Sequence, residues 1–284
     1  PPAFDWQSSK PEEQGMSASQ LDALVEILRS HSTAGVLIIR HDRVVCEWYS
    51  EKLGPDQKHY TASLAKALTG GMSLVLALHD GWLQIDDPAD RYIPAWRNDP
   101  TRAGITIRHL ATHSSGIEDA EVSGMGHFES GGWKTRFWKQ DPDPFTIARD
   151  WAPMKFKPGA AFEYSNPGMA MLSYAITAAL QKSEHKDVRT YLRERIMRPI
   201  GVKDEEWSIG YGKTFTIDGL DLVANWGGGA YTARAAARVG RLMLRQGDWE
   251  GTRLIDAQWV KRVTSDAGTP EPFRGEGEGP CPKA

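Results

Sequence analysis

The chain has 284 residues, 25% of them charged and 40% hydrophobic, with a formal net charge of −3. This is the composition of a water-soluble fold, long enough for one large domain or two intimate ones. It gives no electrostatic case for nucleic acid, and no lysine–arginine run marks a membrane surface or a nucleic-acid partner.

In chain order, residues 1–16 read as an irregular lead-in, and a start at Pro1 without methionine reads as a mature or trimmed end. Ser17 or Ser19 can cap a helix with apolar positions Leu21, Leu24, Val25, Ile27 and Leu28. Residues 35–40 and 44–49 are β-branched and aromatic runs joined by His41-Asp42-Arg43, which predicts a hairpin. The unbroken apolar stretch of its first arm predicts a strand covered on both faces. Residues 60–78 predict a short loop feeding a buried helix, with Ser63 at its entrance and Gly81 as its left-handed stop. The longest apolar run, residues 67–78, contains two glycines and is too short to span a bilayer.

Residues 82–104 predict a packed, irregular segment, and Thr106 can cap a short helix through His113. Residues 118–144 read as a long loop, of a length that tends to be functional. Its Trp133, Phe137 and Trp138 either border a cleft or serve packing. A short helix near 145–151 leads to a turn at Lys157-Pro-Gly159, and a longer helix runs to about Leu180. The next helix, over about 187–197, stops before Pro199. Asp218-Gly219 marks a small hairpin between residues 214–217 and 220–223. Trp226-Gly-Gly-Gly229 is a glycine-rich loop ahead of a helix over about 232–245, and a last helix covers about 256–264. Cys46 falls in a strand and Cys281 in a loop-like tail, so neither a disulfide framework nor a zinc site is indicated.

The chemistry centres on Ser63 and Lys66. On a helix, residues at i and i+3 share a face one turn apart, so the hydroxyl and the amine can meet. A serine hydroxyl needs a base to become a nucleophile, and an amine in apolar surroundings, with a lowered pKa, can be that base. The pattern S-x-x-K arises by chance about once in a chain of this length. Here it occurs twice, the second time at Ser183-Glu-His-Lys186 in a polar segment that reads as a solvated link. By itself, Ser63 could be a helix N-cap and Lys66 a surface charge. The otherwise charge-free run over 61–78 favours a partly buried lysine.

Tyr164-Ser165-Asn166 is the one Y-x-N in the chain. A tyrosine can shuttle a proton if a nearby cation lowers its phenol pKa, and an asparagine offers both donor and acceptor to a substrate. Asn166-Pro167 also has the form of a helix N-cap with proline at the first helical position. His109 and His113 have the i, i+4 spacing of zinc-binding helices, but Leu110 stands where the glutamate of H-E-x-x-H would be, so no metal is implied. G-x-S-x-G and P-loop patterns are absent.

Ser63-x-x-Lys66 followed about a hundred residues on by Tyr164-x-Asn166 resembles the class C β-lactamase and penicillin-binding serine hydrolase family, which includes esterases and 6-aminohexanoate-dimer hydrolases. Residues 81–88, 107–117 and 227–244 resemble the family's intervening segments, so the resemblance covers about residues 12–265. It implies an α+β, β-lactamase/transpeptidase-like fold, an antiparallel sheet flanked by helices plus a mainly helical region. The expected layout is a single domain over 1–284, with a sheet-side part at about 17–60 and 205–284 and a helical part at about 61–204.

The resemblance further implies that Ser63 is acylated, that Lys66 and Tyr164 are acid/base groups, and that Asn166 orients substrate. The Ser63 N–H would supply half of the oxyanion hole. The partner implied is a small ester or amide, with a β-lactam among the options, and no cofactor. A periplasmic or secreted protein is favoured, with a cytoplasmic one open. The family's third element, a K-T-G or H-x-G triad on a late strand, is expected after residue 265 and does not occur before Ala284; Gly227–Gly229 does not replace it. The last sheet strands are therefore expected to be missing, as in a fragment or truncated form. The alternative readings are a non-catalytic penicillin-binding or sensor-like protein, an inactive truncated homologue, or a cell-wall peptidase.

Overall fold

A computed structural model describes residues 4–265 and 268–273. Cys281, the first three residues and the glycine-rich tail lie outside the described residues. The serine helix runs from Ala62 to His79. It opens as a tight 3-10 turn at Ala62–Leu64, widens into i→i+5 turns over Lys66–Gly71 and continues as α-helix over Met72–His79. Every residue from Met72 to Leu78 is buried. Its end is the predicted one: Gly81 has φ +74° and the Trp82 N–H returns to the Ala77 carbonyl at 3.0 Å. By length and composition these 18 residues could cross a bilayer, but 61% of the stretch is buried inside the protein, which makes it a core helix.

Against it packs the helix Asn166–Leu180, in which every residue except Ala178 is buried. Its polar side chains are satisfied internally: Ser173 Oγ donates to the Val223 carbonyl (2.6 Å) and Thr177 Oγ1 to the Ser173 carbonyl (2.8 Å). Gly70 is where the two helices approach, since a Cβ there would lie 2.6 Å from Met169 Cε. Each fully buried aliphatic side chain in this contact contributes about 1.5–3 kcal/mol.

The sheet side is built from small pieces. Gly35–Arg40 and Arg43–Tyr49 form the predicted hairpin, with a bulge at Ile38/Ile39. His41 and Asp42 both have positive φ, the turn that matches strand twist. Gln7–Ser8 adds a short parallel strand beside Arg43. The first arm of the hairpin is only half-buried and stands at the edge of its three-stranded sheet, not covered on both faces as expected. Arg241 and Arg245 grip Asp42 at the hairpin tip and Arg234 grips Glu47, so the hairpin is tied to the helix Ala233–Leu244. A second small sheet places His59–Tyr60 and Trp207–Ser208 on either side of Ala230–Tyr231. These two-residue strands carry no sequence period and were not predicted.

The segment 118–144 is not loop throughout. Gly132–Lys139 is a helix, with Trp133 and Phe137 one turn apart and Phe137 buried. The helix from Thr106 stops at Ala111, so His113 lies beyond it with φ +54°.

Candidate active site

Ser63 sits exposed in the 3-10 turn, directly after Ala62, whose φ of +45° is a strained conformation for a side-chain-bearing residue. Lys66 follows one turn later with its Nζ 3.2 Å from Ser63 Oγ, as the i, i+3 spacing predicts. The same amine donates to Asn166 Oδ1 (2.7 Å) and to the Trp226 carbonyl (2.8 Å). Burial pushes its pKa down from 10.5 to about 8, with Asp119 and Glu121 pulling the other way.

Tyr164 reaches the same point. The Lys66 amine lies over its ring, 4.5 Å from the centroid, and Ser63 is near enough to act on its hydroxyl. The lowered phenol pKa expected from a nearby cation does not occur. Burial raises it, only partly offset by Ser63, so the hydroxyl keeps its proton. His113 stacks on Tyr164 with centroids 4.8 Å apart, and its Nδ1 accepts the Ser165 N–H at 3.1 Å. Burial and the neighbouring Lys66 push the His113 pKa down to about 4, so this ring is neutral.

Asn166 is not the helix cap. Ser165 takes that role, accepting the Gly168 N–H at 2.9 Å, which leaves the Asn166 side chain free to face the lysine. Its orientation comes from Asp119, whose Oδ1 accepts the Asn166 N–H, the Asn166 Nδ2–H and the Ala120 N–H at 2.8, 3.0 and 2.8 Å. Burial raises the pKa of this carboxyl, against the bonds that hold its charged form.

The loop bringing the Trp226 carbonyl to Lys66 depends on its glycines. A Cβ on Gly228, whose φ is +69°, would lie 2.4 Å from the Tyr211 ring, and one on Gly229 would lie 2.5 Å from Thr61 Oγ1. The loop can close on the serine-helix entrance, with Thr61 N–H bonded to the Gly229 carbonyl at 2.9 Å, only without side chains there.

Ser63 and Asn166 line a cleft of about 370 Å3. Phe137 and Trp138 border it, while Trp133 is not part of its wall. The second S-x-x-K is structural: Ser183 Oγ donates to the Leu180 and His185 carbonyls, and Lys186 Nζ bonds the Gln181 carbonyl. His109 closes a capping box, accepting the Thr106 N–H at 3.2 Å, and shares no site with His113. Sequence reasoning missed Asp119, His113 and the Trp226 carbonyl. The only signal for the last was the glycine run after it.

A helical core, small antiparallel sheets and a Ser–Lys–Tyr–Asn cluster between them define the β-lactamase/transpeptidase class of fold. The chain belongs to the beta-lactamase family, whose model, described as "Beta-lactamase", matches residues 21–279. It is 26% identical over 267 residues to the 6-aminohexanoate-dimer hydrolase of Paenarthrobacter ureafaciens, covering 92% of this chain. It is 32% identical over 151 residues to the D-alanyl-D-alanine-carboxypeptidase/endopeptidase AmpH of Escherichia coli K12, covering 52% of this chain. The chain spans 64% and 36% of the lengths of those two curated relatives. A penicillin-binding protein homologue from Caulobacter crescentus shares the fold, with a TM-score of 0.64 at 15% identity over 92% of this chain and 77% of that one.

Proposed function

We propose that this chain carries the catalytic core of a serine hydrolase that cleaves ester or amide bonds through an acyl-enzyme on Ser63. The observation that carries the reading is an amine 3.2 Å from Ser63 Oγ whose pKa burial has brought down to about 8. At pH 7 about a tenth of such an amine is neutral and able to accept a proton. Neutral Lys66 takes the Ser63 proton as Oγ bonds to the substrate carbonyl carbon. The Ser63 N–H faces the oxyanion that forms. The tetrahedral adduct collapses by breaking the bond to the leaving alcohol or amine, which receives a proton through the Tyr164 hydroxyl. Water then adds to the acyl ester, giving one proton back to the Lys66–Tyr164 pair, and the carboxylic acid leaves with Ser63 restored.

The family membership and the names of the curated relatives, a dimer hydrolase and a carboxypeptidase, support hydrolysis of amide-type bonds. The test compares the full-length protein with Ser63→Ala on p-nitrophenyl esters and nitrocefin, together with fluorophosphonate labelling and mass spectrometry. Turnover lost in the variant, with the adduct on Ser63, is expected. Equal activity in both proteins, or an adduct on another residue, would overturn the reading.

A further inference from the structure

Three consecutive residues of the site are held from the stretch 113–119, and His113 holds the first two. Its ring stacks on the Tyr164 ring with centroids 4.8 Å apart and planes at 26°. Its Nδ1 accepts the Ser165 N–H at 3.1 Å, and its backbone carbonyl accepts the Glu163 N–H at 2.9 Å. The third residue, Asn166, is set by Asp119. The Phe162 ring stands nearly perpendicular to the imidazole, 6.0 Å away between centroids. The backbone is bent to allow this. The helix ends at Ala111, and His113 takes a φ of +54°, a left-handed conformation that costs energy for a residue with a side chain.

Nδ1 as acceptor fixes the chemistry of the ring. A neutral imidazole with its lone pair on Nδ1 carries its proton on Nε2, and an imidazolium has no lone pair to offer the Ser165 N–H. The surroundings keep the neutral form. Burial and the Lys66 amine disfavour charge on the ring, Tyr164 keeps its own proton, and the Glu163 carboxylate is taken by Lys155 at 2.7 Å.

Tyr164 needs this support. A proton relay works only while donor and acceptor stay within hydrogen-bond reach. The phenol oxygen is at the far end of its side chain, so a small turn about χ1 moves it furthest. The stacked imidazole limits that turn, and the pinned Ser165 N–H and Glu163 N–H fix the backbone on either side of Tyr164.

We infer that His113 is a positioning residue for proton delivery by Tyr164: its ring face and its Nδ1 lone pair hold the Tyr164 hydroxyl where it can pass a proton to the leaving group. The inference rests on the acyl-enzyme reading of Ser63 and on the proton route through Tyr164.

The experiment measures kcat/KM of the full-length protein at pH 8 for a series of aryl butyrates, from p-nitrophenyl to p-methoxyphenyl. A p-nitrophenolate leaves readily without a proton, whereas a p-methoxyphenolate gains from one, so the dependence on leaving group reads proton delivery and not folding. His113→Ala removes both holds. It is expected to lower kcat/KM by about tenfold or more for the p-methoxyphenyl ester and by less than about threefold for the p-nitrophenyl ester, the same pattern as Tyr164→Phe. In the Tyr164→Phe background the same substitution is expected to cost less than about twofold on either ester, because a residue that acts through the hydroxyl has nothing left to act on. His113→Asn tolerates the left-handed backbone and keeps an acceptor while losing the stacked ring. It is expected to show the same pattern at reduced size, and it decides the question in the same cycle if His113→Ala does not fold. An equal fractional loss across the ester series, the same loss with and without the Tyr164 hydroxyl, or wild-type kinetics in both His113 variants overturns the inference while Ser63 labelling still stands. A leaving-group dependence that Tyr164→Phe itself leaves unmoved overturns the proton route and the inference with it. Absence of any Ser63 adduct instead overturns the acyl-enzyme reading beneath both.

Discussion

Asp119 Oδ1 accepts both the backbone N–H of Asn166 at 2.8 Å and its side-chain Nδ2–H at 3.0 Å. A carboxylate can only accept, so the amide nitrogen must turn toward Asp119 and the amide oxygen toward Lys66. Asp119 thereby acts through Asn166 as a positioning residue, while its charge holds the Lys66 pKa above what burial alone would give.

Asp119→Asn keeps an acceptor of the same shape and removes the charge. The acid limb of kcat/KM is expected to move to lower pH than in the wild type, because a force raising the Lys66 pKa has gone. Asp119→Ala leaves buried donors unpaired and should cost about 1–3 kcal/mol in denaturant unfolding as well as activity. A limb that stays in place in Asp119→Asn would refute the electrostatic half of this account.

Activity should rise with pH through about 8, since Lys66 must be neutral to take the serine proton. Lys66→Arg keeps a cation that does not deprotonate, so kcat should fall by about 10²–10⁴-fold at every pH. A pH–rate profile flat from 6 to 9 in the wild type would count against Lys66 as the base.

Tyr164→Phe removes the hydroxyl that faces Ser63 in the proposed mechanism and leaves a ring able to stack on His113. A fall in kcat of about 10²-fold or more is expected, with the unfolding midpoint little changed. Full activity in this variant would move the proton-donor role elsewhere.

His113 links the site to acid stability. Its folded pKa, about 4, lies below the ordinary 6.5, so the unfolded chain binds the extra proton first. Its contribution is therefore present above about pH 6.5 and is lost as the pH falls toward 4. Asp119, whose pKa burial raises, works in the opposite direction. The readout is consequently a difference: urea unfolding of His113→Phe should show less loss of stability between pH 6.5 and 4 than the wild type. Parallel curves would remove His113 from the account.

Gly228→Ala places a Cβ 2.4 Å from the Tyr211 ring at a φ of +69°. The loop must shift, and with it the carbonyl that holds Lys66. A loss of about 1–3 kcal/mol is expected in thermal or urea unfolding, together with reduced acylation by fluorophosphonate. Wild-type behaviour in both assays would mean that the loop has room to adjust.

Much of the scaffold was legible locally. The apolar run after Ser63, the His41–Asp42 turn and the stop at Gly81 each depend on contacts within a few residues, and each formed where expected. The helix at Gly132–Lys139 was hidden because glycines precede it and two Asp-Pro pairs follow it, and tertiary contacts hold it: Phe137 is buried, Trp138 Nε1 donates to the Ala120 carbonyl and Lys134 pairs with Glu118. The two-residue strands at His59–Tyr60, Trp207–Ser208 and Ala230–Tyr231 are too short to show alternation and exist only through pairing with one another.

The chain alone determined that Ser63 and Lys66 would meet, because three residues along a helix is a local distance that no distant segment needs to set. Only the tertiary structure decided what that lysine is. Its pKa depends on water excluded by the helix at Asn166 and the loop at Trp226, which lie 100 and 160 residues away, and on the charge of Asp119 behind Asn166. The same holds for the cap. Asn166-Pro167 reads as a cap in sequence, and it is the packing of Ser165 beneath Gly168 that releases Asn166 to face the lysine. Helical spacing is a property of the backbone, whereas desolvation and charge are properties of everything packed around it.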